Sequence, residues 1–392
     1  MKYIYKRTIS IFLCVIFLSF TVFGSQTGTA VIAETTTVDL KLPCKSAILI
    51  EQTTGQVLYS SNQNEKLPIA SVTKIMTLLL TMEALEKGII SLSENVPISE
   101  NAASMGGSQA YLEVGETISL HDVLKAVFVS SANDGAVALA ELISGTVEGF
   151  VAAMNEKAAD LGMHDTVFYN PTGLDDGDTN LSTAGDVALM SRALLQYEKI
   201  YEYTTIWIDS IRDGAFGLSN TNKLIRFYPG ATGLKTGSTA KAKFCVSASA
   251  ERNGLKLCAV VLAGESSADR FSAAKTLLDY GFANFAFFTP DEIELSPIPV
   301  WDGLKNEVAL TADVRGILLP KANASGIETE ISMENELSAP VEKGQTVGKI
   351  QYKKGDEIVF ETPILTSESV EAVTFSHILR RLILLFFTGN TE

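Results

Sequence analysis

Apolar and polar positions along the chain change rhythm several times, and each change predicts an element. Ala47-Ile48-Leu49-Ile50 and Gln56-Val57-Leu58-Tyr59 flank Thr53-Thr54-Gly55, which predicts a β-hairpin with glycine at its turn. Pro68 closes the approach to a helix. From Ser71 onward Val72, Ile75, Met76, Leu78, Leu79, Met82 and Leu85 recur at helical spacing, and Gly88 supplies a stop. So many apolar positions predict a largely buried helix. Further helices are expected over residues 120–128, 134–143, 150–161 and 183–196, while residues 244–250 and 255–263 read as a strand pair joined at Asn253-Gly254. From about Phe288 the texture shifts to short alternating strands with turn residues, as at 327–331, 347–352 and 358–360, which predicts a separate small all-β domain.

The two ends carry a different pattern. Lys2, Lys6 and Arg7 precede an apolar run over residues 9–20 and a small-residue stretch ending Val31-Ile32-Ala33, which reads as a cleavable secretory signal over residues 1–33. A retained anchor is the alternative, but the run falls short of the roughly 20 residues a spanning helix needs. At the other end, residues 373–392 combine Ile378, Leu379, Leu382, Ile383, Leu384, Leu385, Phe386 and Phe387 with Arg380 and Arg381. This reads as an interfacial helix whose apolar face enters a membrane surface while the arginines meet anionic lipid; a helix docked on its own domain is the alternative. Between these ends the reading assigns residues 34–287 to a mixed α/β domain and 288–372 to the β-rich one.

Composition narrows the function. Of 392 residues, 46% are apolar, enough for a full core and a second domain. Losing the signal removes three positive and no negative charges, taking the formal charge from −15 to −18, so nucleic acid is an improbable partner. Any anionic substrate must therefore be met by local positive charge. After Cys14 departs, Cys44, Cys245 and Cys258 remain, an odd number that allows one disulfide at most. A two-residue turn at Asn253-Gly254 sets Cys258 opposite Ser249, leaving Cys245 about 13 Å along the sheet and out of bridging reach. Three histidines with no CxxC or HExxH spacing give a metal site little support, and no cofactor is implied.

Three short motifs carry candidate chemistry. In Ser71-Val72-Thr73-Lys74 a serine and a lysine three apart at a helix start share one face, so the amine can take the hydroxyl proton if burial or neighbouring charge lowers its proton affinity. Alone, the pattern equally describes a capping serine and a solvated lysine. Ser131-Ala132-Asn133 sits at a helix entrance, where the same residue types also serve as caps. Lys235-Thr236-Gly237 precedes the strand pair and is expected on a strand edge, where a peptide can bind, lysine can meet its terminal carboxylate and glycine permits close approach. An exposed lysine that blocks edge-to-edge aggregation is the alternative there.

Together and in this order, the three motifs resemble the SxxK, SxN and KTG set of penicillin-binding proteins and serine β-lactamases. The wider text, with Ile69 to Thr77, Ser131 to Glu141, Asn170-Pro171-Thr172-Gly173-Leu174 and Gly233 to Thr239, resembles the low-molecular-mass D-alanyl-D-alanine carboxypeptidases, and the stretch 339–348 looks like that family's small β domain. The resemblance implies an α/β (α+β) architecture: a β-lactamase/transpeptidase-like αβα domain with an antiparallel sheet, followed by a small all-β domain. It implies that Ser71 is acylated, Lys74 is its general base, Ser131 relays a proton to the leaving D-alanine, and Asn133 orients substrate and Lys74. Lys235, Thr236, Gly237 and Ser238 would line the carboxylate site, Arg270 would assist there, and the amides of Ser71 and Ser238 would form an oxyanion hole. The implied partners are peptidoglycan peptide stems ending in D-Ala-D-Ala, β-lactams as inhibitors and a membrane surface, in the cell-wall space of an exported protein.

Two positions depart from the family pattern. Asn180 stands where a histidine is common, and Lys243 where a glycine is common, so that a long cation would narrow or recharge the exit of the cleft. Three alternatives remain at this stage, one of them endopeptidase action on cross-linked stems by the same chemistry. A class A β-lactamase needs a deacylating glutamate, and no suitable one precedes Asn170 or follows it before Lys235. A catalytically silent peptidoglycan-binding protein would keep the fold alone.

Overall fold

The computed structural model describes residues 38–388 except 176, so the expected signal peptide lies outside the described residues. The chain divides into two compact units, one running to Ile293 and taking back Val314–Ile327, the other comprising Glu294–Asp313 and the chain from Glu328. The sequence reading drew a single boundary after residue 287. The contacts keep the following residues with the larger unit because Phe285–Phe288 pairs antiparallel with Ile317–Pro320.

The larger unit is built on a five-stranded sheet. Its strands are β1 (Ser46–Glu51), β2 (Val57–Ser61), β3 (Ala231–Thr239), β4 (Lys243–Arg252) and β5 (Leu255–Gly264), in the spatial order β2-β1-β5-β4-β3 and antiparallel throughout. Every residue of β1 is buried, and its side chains divide alternately between two cores. Ile48 and Ile50 face one core with Val260 and Leu262, while Ala47 and Leu49 face the other with Leu257, Ala259 and Val261. A strand apolar on both faces requires helices on both sides. The first core is filled from α1 (Lys74–Glu86), α2 (Leu120–Lys125), α3 (Asn133–Ser144), α4 (Val147–Asp160) and α5 (Ala184–Leu195). The second is filled by α6 (Ser267–Asn284) through Phe271, Ala274, Leu277 and Leu278. The result is an αβα sandwich around an antiparallel sheet, as expected from the sequence.

Several local expectations hold. Asn253 and Gly254 both take positive φ (51° and 77°), and Arg252 pairs with Leu255, which puts Ser249 opposite Cys258. Cys44, Cys245 and Cys258 are all unpaired thiols. The helix expected over residues 120–128 is interrupted: α2 gives way to a wide π-type turn over Ala126–Ser130 and ends at Ser131 in the left-handed region, with φ 66°. Such turns recur at functional sites because they re-aim one side chain out of the helical ladder.

The smaller unit holds an antiparallel four-stranded sheet in the order Leu310–Ala312, Glu357–Thr366, Thr346–Lys354 and Glu328–Met333. A three-stranded sheet accompanies it, and Val300, Val308, Val347, Ile350 and Ile364 are buried in this unit. It ends in α7 (Phe375–Thr388), on which Phe375, Ile378, Leu379, Leu382, Ile383, Leu385, Phe386 and Phe387 are exposed. Among the described residues no single helix is long and apolar enough to cross a membrane.

Candidate active site

Ser71 lies in a short 3-10 turn, Ala70–Thr73, that enters α1, and Ala70 before it holds a left-handed φ of 47°. That conformation is uncommon for a residue with a Cβ, so the surroundings must impose it. They press from two sides. A Cβ on Gly173 would fall 1.9 Å from the carbonyl oxygen of Ala70, and a Cβ on Gly237 would fall 2.7 Å from that of Ile69 and 2.9 Å from the Ser71 nitrogen. Two glycines from distant parts of the chain thus clamp the serine turn by backbone contact that no larger residue permits. Neither Ser71 nor its neighbours cap α1, since no side-chain cap is made, so the capping reading of the first motif falls.

Lys74 is the first residue of α1 and is fully buried. Its Nζ lies 3.0 Å from Ser71 Oγ, 2.5 Å from Asn133 Oδ1 and 2.7 Å from the carbonyl oxygen of Thr172. Burial, followed by the charge of Lys235, pushes its pKa well below the ordinary lysine value, and Asp134 offsets part of that. The solvated-lysine alternative is therefore excluded. Among the described residues no carboxylate hydrogen-bonds this amine.

The second motif is placed by the break after α2. Ala132 is the N-cap of α3 without a side-chain bond, so neither Ser131 nor Asn133 acts as a cap. Asn133 Nδ2 donates to the carbonyl of Gly106 and its main-chain nitrogen to that of Ser108, while Asp134 accepts from the amides of Ala110 and Leu112. The loop over residues 104–112 is thereby folded onto the motif. Ser131 Oγ is buried and has no partner among the described residues.

The third motif lies on β3, which is an edge of the sheet, as expected. Lys235 is 1% exposed, its Nζ has no partner among the described residues, and burial plus the charge of Arg270 lower its pKa to about 7. Thr236 Oγ1 donates to Thr221 Oγ1 at 2.8 Å. Arg270, on α6, donates from Nη1 to the carbonyls of Gly237 (3.0 Å) and Cys245 (3.3 Å) and lies over the rings of Phe244 and Phe271. The peptide unit is planar and trans, so a Gly237 carbonyl held toward Arg270 turns the Ser238 N–H the opposite way.

Sequence reasoning singled out Asn170 to Leu174 and Asn180 but missed what they do here. The Thr172 carbonyl is aimed by Asn170, whose Oδ1 accepts from Thr172 N (3.1 Å) and Gly173 N (2.6 Å). Asn180 stands behind it. Its Oδ1 accepts from the amides of Tyr169 and Asn170, and its Nδ2 donates to Thr73 Oγ1 and the Asn170 carbonyl. Four bonds make Asn180 a bolt between this loop and the Ser71 turn. The Asn170-Pro171 and Gly106-Gly107 pairs are the turn signals that mark these loops in the sequence.

A family profile described as "D-alanyl-D-alanine carboxypeptidase" matches residues 32–266, and one described as "Penicillin-binding protein 5, C-terminal domain" matches residues 282–372. The chain is 41% identical over 353 residues to the D-alanyl-D-alanine carboxypeptidase DacF of Bacillus subtilis, covering 88% of this chain and 90% of that one. Its fold matches penicillin binding protein 5 from Haemophilus influenzae with a TM-score of 0.72 and 30% identity, over 85% of this chain and 99% of that one. Penicillin-Binding Protein D2 from Listeria monocytogenes in its ampicillin-bound form matches with a TM-score of 0.58 and 32% identity, over 62% of this chain and 100% of the other.

Proposed function

The chain belongs to the family of D-alanyl-D-alanine carboxypeptidases, and on that premise we propose how its residues remove the terminal D-alanine from peptidoglycan stems. The observation that carries the reading is the Lys74 amine, buried and within hydrogen-bond reach of Ser71 Oγ and of two carbonyl oxygens. A neutral amine has two N–H groups and one lone pair. Asn133 and the Thr172 carbonyl accept the two N–H bonds, which leaves the lone pair for the Ser71 proton.

Ser71 Oγ then attacks the carbonyl carbon of the penultimate D-alanine while its proton passes to Lys74. The developing oxyanion is met by the amides of Ser71 and Ser238, each such donor contributing about 3–4 kcal/mol. Arg270 acts here by aiming the Ser238 amide through the Gly237 carbonyl, a reading its two carbonyl bonds support over direct carboxylate binding. Ser131 passes a proton to the departing D-alanine nitrogen as the C–N bond breaks, and water later hydrolyses the Ser71 ester. Lys235, with Thr236 and Ser238, holds the terminal carboxylate. A bound carboxylate also favours the charged form of Lys235, whose field keeps Lys74 neutral. A β-lactam follows the same path to the acyl-enzyme, its ring nitrogen remaining tethered.

The expected result is D-alanine release from a pentapeptide ending in D-Ala-D-Ala by the parent and none by Ser71→Ala, with penicillin labelling Ser71 in the parent only. Labelling without release would move the natural reaction to another substrate; neither would favour a silent wall-binding protein. The exposed apolar face of α7, with Arg380 and Arg381, supports docking on the outer face of the cytoplasmic membrane, in the cell-wall space. Unchanged membrane association after deletion of residues 373–392 would refute that anchoring.

A further inference from the structure

The loop over residues 104–112, folded onto Asn133 from one side, is held on its other side by a single residue from a distant hairpin. Strands Ile208–Ile211 and Phe216–Ser219 pair antiparallel, and the turn between them carries Arg212 and Asp213 at φ 55° and 52°. Left-handed backbone is uncommon for side chains of this size, so something must hold the turn. The Arg212 amide donates to Asp122 Oδ2 at 3.1 Å, which ties it to α2. From that root the guanidinium donates twice to Glu116, Nε to Oε1 (2.6 Å) and Nη2 to Oε2 (2.7 Å). It also donates to the carbonyls of Ala110 (Nη1, 3.2 Å) and Tyr111 (Nη2, 2.8 Å). Four of the five N–H groups of the fork are thereby used. The Arg212 and Glu116 side chains are only 24% and 21% exposed, so the pair is a shielded, two-pronged contact rather than a solvated surface pair.

The segment that Arg212 grips by its carbonyls is gripped by its amides from the opposite side. Asp134 accepts from the N–H groups of Ala110 and Leu112, and Asp134 directly follows Asn133 at the start of α3. Asn133 in turn holds Lys74 Nζ with Oδ1, the Gly106 carbonyl with Nδ2 and the Ser108 carbonyl with its main-chain nitrogen. Gly107 lies so close that a Cβ there would stand 2.8 Å from Asn133 Nδ2. An outward shift of residues 110–112 would therefore pull on the two residues of α3 that face the amine. We propose that Arg212, through its guanidinium fork, is a positioning residue for acylation: it presses the loop over residues 104–112 against Asn133 and so keeps Lys74 aimed at Ser71. The inference rests on the reading of Lys74 as the base for Ser71 and adds a residue whose own bonds are to Glu116, Asp122 and backbone carbonyls.

The test uses the full chain and a fluorescent penicillin at several concentrations. This separates the acylation rate constant from the affinity of the first complex and from the fraction of chains finally labelled. Arg212→Gly accepts the left-handed backbone and removes the fork, whereas Arg212→Lys keeps the charge on one atom that cannot span the carboxylate and both carbonyls. Each should lower the acylation rate constant about ten- to a hundredfold, the scale of a misplacement of about 1 Å at a reacting pair. Affinity should stay within about twofold of the parent, because the lost contact acts on the step and not on binding. A merely structural role would lower the labelled fraction and leave the rate constant of the remaining chains at the parental value. Glu116→Gln, which loosens the fork without removing it, should lower the rate constant by a smaller factor and carries the test if both Arg212 variants fail to fold. A parental rate constant in the variants that fold, full rescue by lysine, or a loss confined to affinity would overturn the positioning role and leave the acylation reading standing. No labelling of the parent would overturn that reading, and the positioning role with it.

Discussion

Replacing Lys235 by methionine should stabilise the protein while abolishing its activity, and the gain should depend on pH. Lys235 is buried with no partner for its ammonium among the described residues, and its pKa is lowered from 10.5 to about 7 by burial first and Arg270 second. In the unfolded chain the same amine titrates near 10.5. Between about 7 and 10.5 the unfolded state binds more protons than the folded one, so this group makes stability rise with pH across that window. Below about 7 both states are protonated and the full penalty of a buried cation is present. At about 1.4 kcal/mol per pKa unit, a drop from 10.5 to about 7 corresponds to a penalty of at most about 5 kcal/mol. Methionine is close in volume and carries no charge. Urea melts of parent and Lys235→Met should therefore differ most at pH 6, with the variant more stable by about 2–5 kcal/mol, and converge as pH approaches 10. A variant less stable than the parent at pH 6, or a difference that does not change with pH, would refute the reasoning.

Three further outcomes follow from the site. Gly173→Ala places a Cβ 1.9 Å from the Ala70 carbonyl at φ 80°, so the serine turn must move; acylation of Ser71 by a fluorescent penicillin should fall by at least about a hundredfold, and near-parental labelling would disprove the clamp. Asn180→Ala removes four hydrogen bonds and leaves buried amides unpaired, costing about 2–4 kcal/mol in a denaturant melt; a change under about 1 kcal/mol would show the bolt to be dispensable. Acylation should rise with pH through the depressed pKa of Lys74 as its neutral form populates, while affinity for a peptide carboxylate should weaken above about 7 as free Lys235 loses its proton; a flat acylation profile or pH-independent affinity would contradict the assigned charge states.

Much of this was legible in the sequence, for identifiable reasons. The strands β4 and β5 and the turn between them followed from period and from Asn253-Gly254, because that dipeptide accepts positive φ at both positions. The buried helix α1 followed from apolar residues around its whole circumference. Side-chain chemistry at Ser71 and Lys74 was visible because three residues of helix bring the two groups together by local geometry alone. What stayed hidden came from long-range contacts. The Thr172 carbonyl has no side-chain signature, and it reaches Lys74 across 98 positions of sequence. The wide turn before Ser131 is set by packing that periodicity does not encode. Arg270 was read from resemblance as a carboxylate ligand, whereas its place on α6 sets it against the backbone of β3 and β4.

The serine turn is held between Gly173 and Gly237, two contacts from segments about a hundred and a hundred and sixty residues downstream. Loops that long close late in folding, because their entropy must be spent before the contact rewards it. A chain whose helices have formed but whose last segments have not docked therefore has a serine and a lysine on one turn with neither a fixed amine nor an oxyanion site. Reactivity at Ser71 then counts finished molecules: in an expression culture, the fraction of chains that take up penicillin measures folding yield directly, without a separate probe of structure.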